Sequence, residues 1–381
     1  MGVIRVGMVG LAAVESTTLG PRTWGVVSFL PTFVYSSDYE IVAVCNSTVA
    51  SALRAIETHK LPKTTKAYGD PSDLANDPNV DLVVVSVLVT KHVMLAEPAL
   101  LSKKQVFVEW PLGASTSEAE RLTELARANK LKTIVGVQAR ADPVIVKTKQ
   151  LINSGALGTI TSTTVIGSTS AIPSDVWFKG SEFYLDMRTG ANVFHVYFAH
   201  FLDSFIHVLG GFDSLQSSLK TEITEIKIPA EEGVQEHIAQ KNVPDHVLVQ
   251  GKLKSGAMAS IAYRWANLNE AVDDVGVRWI ITGRDGEIEI TTDQSHWQMN
   301  SPNWKLRLKL RGTPTQEIDF SSPEPDFIKH IPQVGKNTGR ILEAYARGNQ
   351  ADYADFESAL ETHRLLDEIV QKAGFKYYLS F

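Results

Sequence analysis

Cysteine is all but missing: Cys45 stands alone in 381 residues. No disulfide can form within the chain, and a reducing compartment is expected. No apolar run approaches the roughly 20 residues that a membrane-crossing helix needs. Long basic runs are lacking too, and the formal net charge is -6, so neither a membrane span nor a nucleic-acid surface is expected. The first strand-like run begins within four residues of the start, which leaves no room for a secretory signal. The chain reads as a soluble, cytosolic protein. Internal repeats, low-complexity segments and a nucleophile-elbow pattern are also absent from the sequence.

What is present suits two domains, since 381 residues at 44% apolar content can bury a large core. Ile4-Arg5-Val6-Gly7-Met8-Val9-Gly10 reads as a buried strand running into a glycine turn, the opening of a dinucleotide-binding βαβ unit. The glycine pattern is degraded. G-x-G-x-x-G/A becomes Gly10-Leu11-Ala12-Ala13-Val14, and a polar stretch over 15–22 intervenes before apolar periodicity returns at Trp24. Apolar strands over 41–45, 80–88, 105–108 and 133–137, with helical patterns such as 117–129 between them, predict a parallel sheet covered on both faces. The predicted class is α/β: a Rossmann domain over 1–137, then an α+β domain over 138–381 with an open, mainly antiparallel sheet.

In that second domain the patterns predict a strand at 157–167, a loop with Pro173, Trp177, Phe178 and Lys179, and a long helix. Strands at 247–253, 257–264, 277–282 and 287–291 follow, spaced by turns at 254–256 and 283–286. Segments 230–233 and 321–325 read as exposed loops. The last helix, about 355–372, is expected near the domain junction.

Three motifs carry chemistry. Glu109-Trp110-Pro111 ends the strand at 105–108; Gly136-Val137-Gln138-Ala139-Arg140-Ala141-Asp142-Pro143 precedes Lys149-Gln150-Leu151-Ile152-Asn153-Ser154-Gly155-Ala156-Leu157-Gly158; and a helix runs through Val196, His200 and Asp203. In this order they resemble, over nearly the whole chain, the Gfo/Idh/MocA oxidoreductases. The resemblance implies a nicotinamide dinucleotide and a pocket of lysine, aspartate and histidine. Two of those three groups are replaced here. The family's Glu-Lys-Pro lysine is Trp110, and the first aspartate of its D-x-G-x-H-x-x-D helix is Val196, with Phe198 for the glycine; His200 and Asp203 stand where the histidine and second aspartate do. An indole donates a hydrogen bond but does not titrate. Val108-Glu109-Trp110, Phe198 and Val243-Pro244-Asp245-His246 are similar to the branch of fungal galactose-pathway transcriptional repressors, which bind a dinucleotide and a transcription activator.

The candidate catalytic residues are His200, as the remaining acid or base, and Tyr197, as an alternative phenolic donor. Trp110, Arg140, Trp177, Lys179, Tyr184 and Val196 are the expected pocket lining. Trp110 either walls a nicotinamide ring or fills the volume of the missing lysine. Gly10, Ala12, Ala13, Asn46, Ser47, Thr48, Leu88, His92, Glu109 and Trp110 are expected at the cofactor. His92 has a structural reading as well, as a cap, and Arg140 matches the family's arginine after the last Rossmann strand, facing the cleft or not. His195 is five residues out of phase with His200 and is not expected beside it. His200, Asp203 and His207 share a helical face and imitate a metal set, but the resembled fold uses no metal and none is expected.

Cys45-Asn46-Ser47-Thr48 lacks the acidic residue that accepts the ribose hydroxyls of NAD, so NADP is expected over NAD. Two functions remain open. One is an NAD(P)-dependent oxidoreductase on a small carbonyl or alcohol substrate, in the setting of fungal specialised metabolism, or a non-redox enzyme on the same scaffold. The other is a dinucleotide-binding transcriptional regulator with a protein partner. A homo-dimer or higher homo-oligomer is expected, since the family commonly builds its oligomer contact on the outer face of the second sheet.

Overall fold

Six strands build the first sheet: β1 (Ile4–Val9), β2 (Tyr39–Cys45), β3 (Lys66–Tyr68), β4 (Leu82–Val85), β5 (Gln105–Glu109) and β6 (Thr133–Gly136). They lie in the order β3-β2-β1-β4-β5-β6, all parallel. Helices α1 (Leu30–Tyr35), α2 (Val49–Thr58), α3 (Pro71–Asn76), α4 (His92–Leu101) and α5 (Thr116–Ala128) connect them. Strand order reverses between β1 and β4, and open α/β sheets bind ligands at such a switch point, beyond the carboxyl ends of the strands. The apolar run at 80–88 yields only four strand residues, because Ser86 and Val87 leave the sheet to pass beside Gly10.

The computed structural model describes residues 2–20, 22–168, 175–230, 235–265, 275–293 and 296–377. Pro173 and the loop residues 231–233 lie outside these. The chain divides into two units, and not at one point as a boundary near 138 would have it. The first unit holds Met1–Asp142, Gln298–Asn300 and Pro323–His363; the second holds Pro143–Trp297, Ser301–Ser322 and Arg364–Phe381. The reason is apolar burial. Ile341, Leu342 and Tyr345, on the helix Lys336–Ala346, join Val6, Met8, Phe29, Phe107 and Ile134 in one core under the Rossmann sheet. Asn337 adds a buried polar tie, donating from Nδ2 to Asp142 Oδ2 at 2.8 Å and to the Gln298 carbonyl at 3.1 Å. The edge of β6 is closed by Ala354, whose carbonyl accepts from the Val135 amide at 2.9 Å, which leaves less open backbone for another chain to pair with. The helix Phe356–Lys372 is counted with the first unit up to His363 and with the second from Arg364.

The second unit begins with α6 (Pro143–Asn153) and β7 (Ile160–Ser168), then α7 (Ala199–Leu209) and β8 (Phe212–Lys220). A small hairpin, β9 (Glu225–Ile228) and β10 (His237–Gln240), precedes β11 (His246–Leu253), β12 (Met258–Arg264), β13 (Val277–Gly283), β14 (Gly286–Thr292), β15 (Lys305–Leu310) and β16 (Gln316–Glu317). Eight of these form a sheet in the order β16-β15-β14-β13-β7-β12-β11-β8. Only β7 and β12 pair in parallel. The fold is therefore a Rossmann unit plus an α+β unit with a mainly antiparallel sheet. Alternating burial along β11 to β14 puts one sheet face inside. There α7 lays Phe201 against Tyr263, Trp279 and Trp297, at ring separations of 5.8, 5.8 and 5.1 Å.

Candidate functional site

The glycine loop comes first in the chain. Gly10 has φ +96°, and a Cβ there would come within 2.5 Å of the Ser86 carbonyl oxygen, so the turn demands glycine. The next helical segment starts only at Trp24, with a π turn over Gly25–Phe29 that runs into α1. A Cβ on Gly25 would meet Met8 Cε at 3.0 Å and the Gly10 carbonyl at 3.4 Å. Gly25 thus supplies the close helix-to-strand approach that the last fingerprint glycine normally gives. Sequence spacing hid it, because residues 11–23 lie between. Ala12 is half-buried and its carbonyl meets His59 Nε2 at 2.7 Å, while Ala13 is exposed.

Beyond β2, Asn46 Nδ2 donates to the carbonyls of Leu11 and Ser51, at 2.8 and 3.2 Å, and so ties the glycine loop to α2. Thr48 caps α2 in a reciprocal box with Ser51, which commits its hydroxyl to the helix start. Ser47 is exposed. No carboxylate occupies 46–48.

Beyond β4 and β5, Leu88 is 40% exposed. His92 is buried, with Nδ1 2.9 Å from the Pro111 carbonyl and Nε2 3.1 Å from the Val87 carbonyl. Burial lowers its pKa, so the neutral ring donates to one of these carbonyls at a time and braces two strand-end turns against each other. Arg140 is buried too, with Nη1 3.4 Å from Ser358 Oγ. Trp110 is 6% exposed, and its ring lies 4.8 Å from that of His363, so little of the indole is left to a ligand.

Glu109 is the least expected group. Its Oε1 accepts from Trp24 Nε1 at 2.8 Å, Gln138 Nε2 reaches both oxygens at 3.2 and 3.1 Å, and the Trp110 amide reaches Oε2 at 3.3 Å. A Cβ on Gly136 would stand 2.3 Å from Oε2, so that glycine makes room for the carboxyl group. Burial pushes its pKa up to about 7 against the lowering pull of the Trp24, Trp110 and Gln138 hydrogen bonds. Trp24 and Gln138 carried no local signal of this role, because Trp24 lies 85 residues from Glu109 in the chain.

The second unit carries the rest. A π turn, Phe194–Phe198, leads into α7 and presents Tyr197 and His200; such turns recur at functional sites. Asn192 caps the turn, its Oδ1 accepting from the amides of Phe194 and His195 at 3.1 Å each and lying 3.0 Å from His195 Nδ1. Burial pushes His200 down to about 3, with a smaller push from His296. These surroundings keep it a neutral imidazole near neutral pH, and its buried Nδ1 has no hydrogen-bond partner among the described residues. Burial likewise pushes His296 down to about 4 and raises Tyr197 and Tyr184, each of them partly exposed.

Trp177, Tyr184, Tyr197 and His296 form a series of rings, with centroids 5.7, 6.1 and 5.0 Å apart in turn. His296 was not anticipated, since nothing near it in sequence marks it. Val196 and Lys179 are partly exposed. His207 Nε2 lies 3.1 Å from Lys149 Nζ, and no group of metal-ligating side chains occurs among the described residues. The segment 241–246 steadies the loop before the π turn: Asn242 Oδ1 accepts from the Met187 amide at 2.6 Å, and Lys241 pairs with Asp245 at 2.9 Å. Trp110 and Glu109 belong to the first unit, and His200 and Tyr197 to the second. Among the described residues no helix is long and apolar enough to cross a membrane.

Known proteins match at both levels. The family model described as Oxidoreductase family, NAD-binding Rossmann fold, matches residues 4–137, and that described as Gal80p, C-terminal domain, matches residues 143–292. Dehydrogenase aclE of Aspergillus oryzae is 31% identical over 387 aligned residues, which cover 97% of this chain and 96% of that protein. The galactose/lactose metabolism regulatory protein GAL80 of Kluyveromyces lactis is 32% identical over 263 residues, 66% of this chain and 56% of that one. The crystal structure of the transcriptional regulator Gal80p from Kluyveromyces lactis matches with a TM-score of 0.82 at 26% identity, covering 98% of this chain and 93% of that chain. The chain belongs to the Gfo/Idh/MocA oxidoreductase family, in the branch that resembles Gal80p.

Proposed function

We propose that this protein is an NAD(P)-dependent oxidoreductase acting on a small carbonyl or alcohol substrate, with NADP(H) preferred over NAD(H). The observation that carries the reading is His200, whose buried Nδ1 lacks a partner among the described residues. An unsatisfied buried polar atom costs about 1–3 kcal/mol, a cost that a bound substrate oxygen offsets. Full-length similarity to a protein named as a dehydrogenase supports it further. Gly10, Ala12 and Ala13 pass the diphosphate, and exposed Ser47 meets the 2′-phosphate, which no carboxylate at 46–48 repels. The nicotinamide supplies or takes the hydride. His200 and Tyr197 hydrogen-bond the substrate oxygen.

The Gal80p C-terminal match favours a second reading, a dinucleotide-binding regulator that meets a protein partner. One pair of measurements separates them. Calorimetry is expected to give micromolar-scale NADPH binding, tighter than NADH. A screen of carbonyl compounds is expected to oxidise the bound cofactor, with His200→Ala slower by roughly 10² to 10⁴-fold. Nucleotide binding without turnover on any carbonyl or alcohol, together with a nucleotide-dependent protein partner, would establish the regulator. Self-association through the outer face of the second sheet is part of the same proposal. There Leu248, Ala262 and Ile166 stand in one register row, with Leu248 and Ile166 about half exposed.

A further inference from the structure

The second unit holds two aromatic clusters of different character. One is core: Phe198, Phe201, Phe205, Tyr263, Trp279 and Trp297 are all fully buried. The other, running from Trp177 through Tyr184 and Tyr197 to His296, keeps its last three rings partly exposed. Core packing explains the first and leaves the open face of the second unexplained. Among the described residues, no hydrogen bond reaches the phenol oxygens of Tyr184 or Tyr197, and the buried Nδ1 of His200, three residues beyond Tyr197, has none either. The arrangement thus offers ring faces for stacking and a few neutral polar atoms, Trp177, Tyr184, Tyr197 and His296 carrying no carboxylate or ammonium themselves.

We propose that this site selects an uncharged ring, an aromatic ketone or its alcohol, stacked on Tyr184 and Tyr197 with its oxygen hydrogen-bonded to Tyr197 or His200. The inference rests on the oxidoreductase reading for the reaction but not for the binding. Aromatic rings prefer offset or tilted neighbours with centroids 4.5–7 Å apart, the spacing already present in the series. A polyhydroxylated sugar would need several polar partners, and here Val196 stands at the matching position of the family's aspartate, one residue before Tyr197. A carboxylated or phosphorylated substrate would need a cation, yet both imidazoles are neutral and, of the two cations on the segment that carries Tyr184, Arg188 is paired with Asp186 at 2.7 Å and Lys179 follows Trp177 by two residues, outside the ring series.

Saturation-transfer NMR on the intact protein, with 4-hydroxyacetophenone, glucose and benzoate as probes, reads binding without turnover. The ketone alone is expected to receive saturation. Tyr184→Leu and Tyr197→Leu are each expected to weaken it at least tenfold, with an unchanged far-ultraviolet circular dichroism spectrum and melting temperature reporting that the fold persists. Tyr197→Phe keeps the ring and is expected to weaken binding less. Equal or tighter binding of glucose or benzoate overturns the proposal, as does ketone binding that survives both leucine variants. Ketone binding by a protein that never oxidises NADPH upholds this inference while removing the oxidoreductase reading.

Discussion

The indole Nε1 of Trp24 donates to Oε1 of Glu109 across 2.8 Å, joining the head of the first helical segment to the end of β5. Gln138 and the Trp110 amide complete the cage, so Trp24, Gln138 and Trp110 all meet this carboxylate as neutral donors. Without a cation, desolvation outweighs hydrogen bonding, and the group takes up a proton near neutrality.

Glu109 therefore contributes stability that is present below about pH 4.5 and is lost as pH rises to about 7, because over that window the folded Glu109 retains a proton that the unfolded chain has lost. The slope approaches one proton, about 1.4 kcal/mol per pH unit. Glu109→Gln removes it. Urea unfolding at half-unit pH steps measures both proteins, and parallel curves would show that Glu109 keeps an ordinary pKa.

His200 contributes with the opposite sign, over a window that overlaps that of Glu109. His200, held near 3 in the fold, takes up its proton more readily once unfolded, so stability is present above pH 6.5 and is lost as pH falls toward 3. His200→Gln is expected to flatten the unfolding free energy over that range by up to about 1.4 kcal/mol per pH unit. NMR titration of the ring protons checks the cause directly: a midpoint between pH 6 and 7 would contradict it.

Gly10→Ala forces a methyl to within 2.5 Å of the Ser86 carbonyl at a positive φ. A loss of about 1–3 kcal/mol is expected. NADPH binding should weaken with it, read by calorimetry below the melting range. Wild-type stability and affinity in this variant would mean that the turn relaxes freely.

Asp245→Asn strips the partner from Lys241, which is 6% exposed, and weakens the acceptor of the Glu222 and Ile223 amides. Breaking a buried pair typically costs about 3–5 kcal/mol. Thermal unfolding should report a loss of that order, while Asp245→Asn with Lys241→Met should recover part of it. Unequal recovery is the informative readout: none at all would assign the loss to the two amides.

Leu248→Glu with Ile166→Glu places like charges on the outer face of the second sheet, at positions about half exposed in the wild type. Light scattering is expected to show an oligomeric wild type and a monomeric variant with an unchanged melting temperature. A monomeric wild type would withdraw the interface.

Much of the architecture was legible because period and order are local. The strands at 41–45, 105–108 and 133–137 recur in β2, β5 and β6 within a few residues, and the last helix within one residue at its start. Lys66–Tyr68 was missed because three residues carry no period. The Rossmann core's claim on the helix Lys336–Ala346 was illegible for another reason. An amphipathic stripe says that a helix buries a face, but not against which sheet.

The sequence by itself determined the fold class, the family and the chemical losses at Trp110 and Val196, since each is written in residue identity and spacing. Only the tertiary structure decided what the remaining groups can do. Glu109 and His200 have ordinary carboxyl and imidazole chemistry in water. Their burial, beside partners as distant in the chain as Trp24 and His296, raises the first and lowers the second. A pKa is set by the medium and neighbours around a group, and those are assembled by contacts that no local pattern encodes.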